Sequence, residues 1–138
     1  MSNFTQPLIV SPLPDGRRWV LRKEFSYDIG VKDSGQSIII PSGFVTDFAS
    51  IPRLFWAVYP KWGKYGNAAV VHDYLYWEQF LSREKSDDIF LEGMVVLGVE
   101  KSTRNIIHKS VRAFGNAAWE GNQKRKRDGE KRIIKLPN

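Results

Sequence analysis

The pattern of apolar and polar positions changes character near the middle of the chain. In the first half the apolar residues come in short β-branched and aromatic runs, RRWVLRKEFSYDI (17–29) and QSIIIPSGFVT (36–46), separated by the polar, glycine-bearing GVKDSG (30–35). Such runs predict strands, and the two together predict a small antiparallel sheet or hairpin. Past Thr46 the spacing lengthens toward that of helices. In TDFASIPRLFWAVYP (46–60), Ser50 offers an N-cap and Pro52 a first-turn proline, and Pro60 ends a short helix. After the loop KWGKYG (61–66), a helix is predicted from Asn67 to about Leu81, then a turn through SREK (82–85), then a second helix from Ser86 to about Gly98. A third runs from about Ser102 to Trp119, with Ile106, Ile107, Val111, Phe114 and Ala118 as its apolar face. The expected class is α+β: a small antiparallel N-terminal sheet, a helical hairpin and a third, C-terminal helix. A length of 138 residues suits one globular domain, expected over 1–121, with 122–138 as a basic, flexible tail.

The segment NAAVVHDYLYWEQF (67–80) breaks the usual division of a helix into a wet and a dry side. Between Ala68 and Trp77 the only formally charged residue is Asp73, and the only other group titrating near neutrality is His72. Apolar side chains cover the remaining directions, so this helix is expected to be central. Consecutive side chains on a helix point about 100° apart, so His72 and Asp73 cannot satisfy one another and each needs its own partner. A buried carboxylate without one costs several kcal/mol, which predicts a polar network or a metal. Tyr76 brings a hydroxyl to the side of the helix that carries His72. The short SREK turn sends the next helix back antiparallel, and SDDIFLEGM (86–94) then offers Asp87 or Asp88 as the partner of His72. A carboxylate accepting from one ring nitrogen and from Tyr76 would fix the tautomer and leave the other nitrogen as a base. The alternative is that both aspartates favour the dipole of their own helix's first turn.

Composition narrows the chemistry further. With no cysteine, disulfides, thiolate metal sites and thiol nucleophiles are excluded, so a metal would be held by oxygen and imidazole. Two histidines 36 positions apart, without an H-E-x-x-H pattern, speak against a zinc peptidase, and His108 is read as an ordinary helix-edge residue. No apolar run reaches the roughly 20 residues of a membrane span, and MSNFTQPLIVSPLP lacks the pattern of a signal peptide. The net charge of +6 is uneven: residues 120–138 carry an excess of +4, concentrated in Lys124, Arg125, Lys126 and Arg127. That stretch is either a solvated terminus or a weak attractant for nucleic acid or anionic lipid. Trp62 and Tyr65 beside Lys61 and Lys64 would suit a membrane interface if exposed, and core packing if not.

Three stretches, GFVTDFASIPRLFW (43–56), GKYGNAAVVHDYLY (63–76) and SDDIFLEGM (86–94), resemble the bacterial and phage family known as domain of unknown function 1353, over about Trp19 to Trp119. The resemblance implies a phage or prophage origin and supplies no established activity. Separately, HD-x-x-Y followed by an aspartate on the next helix is similar to the core of phospholipases A2, including those of parvoviral capsids. That second likeness implies His72 as the base that activates water, Asp73 as a calcium ligand, and Asp87 with Tyr76 as the support of the histidine. Carbonyls of a loop containing Gly63 and Gly66 would complete the calcium site. The loop is shorter than the calcium loop of that family and carries Lys64. Asp47 belongs to the first family's motif alone, as a further ligand, a partner of His72, or a local backbone acceptor. Arg53 or Lys64 would neutralise Asp73 as an ion pair if no metal does.

Two functional expectations follow. One is a small phage hydrolase, a calcium-assisted lipid esterase of phospholipase A2 type. The other is a noncatalytic virion component or host-interaction protein whose His/Asp/Tyr network is structural. The partners expected are membrane lipid or other phage proteins, with weak nucleic-acid binding through the tail, and the location is the virion or the cytoplasm of the infected host.

Overall fold

The computed structural model describes residues 3–4, 7–30, 35–47 and 66–136. Among the described residues, six short strands come first: β1 (Asn3–Phe4), β2 (Val10–Pro12), β3 (Trp19–Leu21), β4 (Phe25–Asp28), β5 (Ser37–Ile40) and β6 (Val45–Thr46). Four helices follow among them: α1 (Gly66–Glu78), α2 (Arg83–Val96), α3 (Lys101–Phe114) and α4 (Asn116–Arg127). The class is α+β, as the periodicity predicts.

The two strand-forming runs pair as one long hairpin that changes sheet halfway. Its inner part, β4 with β5, joins β1 in a sheet of order β1-β4-β5; its outer part, β3 with β6, joins β2 in a sheet of order β2-β3-β6. All pairs are antiparallel. In β5, Ile38 and Ile40 are buried while Ser37 and Ile39 are exposed, the period-2 alternation of a strand with one face on the core. Phe25, Tyr27, Ile38 and Ile40 from the strands, with Phe44 just before β6, meet Ala68, Ala69, Val71 and Leu75 of α1 in a single apolar core.

Eleven of the 13 residues of α1 are buried, so this helix lies inside the domain. Such a helix must find partners for its polar groups within the protein, its terminal carbonyls included. Gln79 closes it in the left-handed region at φ 59°, where its side-chain amide donates to Tyr76 O at 3.0 Å and to Trp119 O at 2.9 Å. Asn122 donates to Tyr76 O as well, at 3.1 Å, and Lys126 to Glu78 O at 3.2 Å. Ser82 then caps α2 by accepting from Lys85 N at 3.1 Å. The resulting hairpin is antiparallel and tight: a Cβ on Gly93 of α2 would lie 3.0 Å from that of Ala68 of α1.

The third predicted helix is two helices. Gly115 lies between α3 and α4, and a Cβ there would meet the Tyr76 hydroxyl and Val111 O, so the close approach of Tyr76 requires a glycine. Ile107 and Val111 are buried, but Ile106 is 47% and Phe114 73% exposed. Arg83, the first residue of α2, donates to Val111 O and Arg112 O, so α2 begins level with those residues and Phe114 projects past its end. Residues 122–127, expected in a flexible tail, are the second half of α4. The chain then turns through Gly129 and returns to the sheet, where Ile133 bridges Phe44 in antiparallel fashion. The short helix expected after Ser50 lies outside the described residues.

Candidate functional site

His72 and Asp73 diverge as helical geometry requires, and each meets a different set of partners. His72 has no exposed surface; its ring lies 4.2 Å from that of Tyr76 and 4.6 Å from that of Phe90, centre to centre. Its Nε2 is 2.8 Å from Asp87 Oδ1, and the Tyr76 hydroxyl donates to the same oxygen at 2.7 Å. The antiparallel hairpin sets this register: Asp87 lies one turn into α2, opposite the last turns of α1. Asp88, one residue on, turns outward and is exposed. The pairing of Asp87 with His72 and Tyr76 is therefore the one the sequence made available, and Asp88 takes the surface position.

The second oxygen of Asp87 carries the rest of its charge compensation. Arg112 of α3 donates to Oδ2 from Nε at 3.2 Å, and Arg83 Nη1 stands 3.5 Å away. Arg112 also reaches Asp88 at 2.7 Å, and His108 lies 3.1 Å from the same Asp88 oxygen. Asp87 thus ties three helices together: α1 through His72 and Tyr76, its own α2, and α3 through Arg112. Burial alone would raise the pKa of Asp87, but the bonds from His72, Tyr76 and Arg112 outweigh it and hold the carboxyl below its ordinary value. Burial lowers the pKa of His72 despite the opposing pull of Asp87, and raises that of the Tyr76 hydroxyl. At neutral pH the centre is a carboxylate accepting from a neutral imidazole and a protonated phenol. Because an ionised Asp87 can only accept, the imidazole proton belongs on Nε2.

Asp73 faces the sheet. It accepts from the Thr46 hydroxyl at 2.7 Å in a buried contact. Beside this pair Arg132, from the returning C-terminal segment, contacts Asp47 at 3.4 Å and Glu130 at 2.9 Å, and its guanidinium lies 5.1 Å from the centre of the Trp77 ring. Burial disfavours the charge of Arg132, yet Asp47, Asp73 and Glu130 together raise its pKa. Asp47 and Asp73 therefore share a centre, and Asp47 is placed with Arg132.

Among the described residues, no group of three or more acidic or histidine side chains is arranged to hold a metal ion. Asp73 meets a hydroxyl donor and the positive field of a guanidinium, a setting already compensated in charge. Gly66 is a buried residue in the first turn of α1. The rest of the loop whose carbonyls would complete a calcium site, Gly63 included, lies outside the described residues.

Of the basic positions, Lys61, Trp62, Lys64 and Tyr65 lie outside the described residues, as does Arg53. In the Lys124–Arg127 run, two side chains turn inward: Arg125 donates to Asn122 Oδ1 at 2.7 Å, and Lys126 covers the Trp77 ring at 5.4 Å. Lys124 and Arg127 are exposed. A cationic last turn also suits the negative end of the helix dipole. Sequence reasoning missed Thr46, Arg83, Arg112 and Arg132. Of these only Arg83 carried a local signal, standing four residues before Asp87 on the same helix.

Residues 19–111 match a family model described as "Protein of unknown function (DUF1353)". The chain belongs to this family. The match spans more than half of the chain and contains β3 to α2 and most of α3, hence His72, Asp73, Tyr76, Asp87 and Asp47. No curated protein and no solved structure matches the chain. The likeness to phospholipase A2 rests on His72, Asp73, Tyr76 and Asp87 alone.

Proposed function

We propose that this DUF1353 protein is noncatalytic, a phage virion component or host-interaction protein, and that its His72–Asp87–Tyr76 centre is a structural pin. The complete burial of His72, whose Nε2 is committed to an Asp87 already bonded to Tyr76 and Arg112, carries this reading. A general base must reach the proton it removes, directly or through one water. A pin needs only that every buried polar group be matched, and breaking such a set would separate α1 from α2 and α3. The phage setting comes from the family resemblance of the three motifs.

One observation favours a second reading, the lipid hydrolase. Asp87, supported by Tyr76, fixes the tautomer of His72 and directs its second ring nitrogen, as the support of a catalytic histidine does. Fatty-acid release from mixed anionic vesicles, with and without calcium, separates the two. The noncatalytic reading predicts no release by the folded protein under either condition. Release that disappears in a folded His72→Gln variant would overturn it.

A further inference from the structure

The motif GFVTD (43–47) is occupied by a segment from the far end of the chain. Val45 N donates to Arg132 O at 2.7 Å and Ile134 N to Gly43 O at 2.9 Å, the bonds of an added antiparallel strand. Gly43 sits at φ +91°, and any Cβ there would collide with Ile134 O, so the glycine lets another backbone lie alongside. One side chain enters the protein from this segment. Arg132 is 7% exposed, over the Trp77 ring and within the field of Asp47 and Asp73. Its neighbours stay outside: Ile133 is 43% and Ile134 37% exposed, and Lys131 and Lys135 are exposed. A groove of about 220 Å³ remains against Trp77, lined also by Lys126, Lys131 and Ile133. The segment hangs from the turn at Gly129, φ 94°. The family match contains Gly43–Asp47, Asp73 and Trp77 and ends at residue 111, before the segment that fills the site.

We propose that the β6 edge with Asp47, Asp73 and Trp77 is a recognition site for an extended, arginine-bearing segment of a partner protein, held in this chain by its own residues 131–134. Strand addition supplies affinity through the main chain, and the buried pocket supplies selectivity for one side chain. A planar guanidinium suits this pocket because it stacks on an indole while facing carboxylates on its edge, which an ammonium cannot do equally well. Two ladder bonds and one anchor hold the resident segment, so its release need not unfold the core. The proposal deepens the noncatalytic reading by naming a class of partner. It can fail while the vesicle assay still supports that reading, and the converse holds too.

The test uses the full chain and a fluorescein-labelled peptide with the sequence of residues 129–136, GEKRIIKL. The peptide should bind full-length Arg132→Ala at least tenfold tighter than wild type, because the resident anchor is weakened. Replacing the peptide's arginine by glutamine should cost at least tenfold. Equal binding to both proteins, no binding, or binding indifferent to that arginine would overturn the proposal. Hydrogen exchange on the wild-type chain provides a measurement that does not depend on the variant folding. The amides of Val45 and Ile134 should exchange at least a hundredfold faster than those of the α1 core such as Val71. Exchange of both only through global unfolding would likewise overturn it.

Discussion

Replacing Asp87 by asparagine keeps the shape of the side chain and removes its charge, which makes it the sharpest perturbation of the centre. Asp87 has no exposed side-chain surface, and three groups approach it within hydrogen-bonding distance: His72 at 2.8 Å, Tyr76 at 2.7 Å and Arg112 at 3.2 Å. An asparagine can still accept on one oxygen, so part of the His72 and Tyr76 bonding survives. Its amide nitrogen cannot accept from Arg112, and the guanidinium loses its buried counter-charge. Breaking one side of a buried ion pair costs about 3–5 kcal/mol. Arg112 is 37% exposed and so partly solvated, which together with the surviving acceptor brings the expected loss to about 2–4 kcal/mol. Asp88→Asn is the internal control. It touches the same Arg112 but is 59% exposed, and a surface pair of that kind contributes about 0–1 kcal/mol. Urea unfolding reads both: with a slope of about 2 kcal/mol/M, Asp87→Asn should lower the midpoint by about 1–2 M without changing the slope. A loss below about 1 kcal/mol, or one no larger than that of Asp88→Asn, would refute the assignment of Asp87 as the pin.

Other predictions concern the same centre. The pKa of His72 is lowered in the folded state, so the unfolded chain takes up a proton that the native protein does not. Its contribution is whole above the unfolded value of about 6.5 and is lost as pH falls toward the lower folded value, at up to about 1.4 kcal/mol per pH unit. Unfolding free energies measured at intervals between pH 7 and 5 should show this slope, and His72→Leu should flatten it; an unchanged slope in the variant would assign it elsewhere. Asp87, also lowered, acts further down, contributing above its unfolded value near 3.9 and losing that contribution as pH falls through its folded value. Gly115→Ala would press a methyl group on the Tyr76 hydroxyl and Val111 O, and should cost about 1–3 kcal/mol in thermal or urea unfolding; a neutral result would show that α3 and α4 can separate there without strain.

Much of the centre could be read from α1 alone. A helix with apolar residues in every direction has no wet side for His72 or Asp73, and the divergence of adjacent side chains requires two separate partners. The short turn before α2 then limits the carboxylates near His72 to Asp87 and Asp88, and hairpin register decides between them. The cationic half of both centres was less legible. Arg112 lies 25 residues from Asp87 and Arg132 lies 85 from Asp47, and no periodicity links positions so far apart. Thr46 ends a strand and reads locally as nothing more than a β-branched residue. The break at Gly115 was hidden because the apolar spacing continues across it to Ala118. What demands a glycine there is a hydroxyl on another helix, which the sequence does not place beside it. Charge composition pointed outward for residues 122–138, whereas Arg125, Lys126 and Arg132 bend inward to serve α1 and β6.

The most direct test of the central claim is the protonation state of His72 itself, followed by nitrogen-detected magnetic resonance of imidazole-labelled protein from pH 8 to pH 5. A structural pin predicts a ring that is neutral at pH 7, with its proton on Nε2, and that takes up a proton in the native state only below the ordinary 6.5. An imidazole that takes up a proton in the native state with a midpoint at or above the ordinary 6.5 would contradict it, because such a ring must be in communication with solvent.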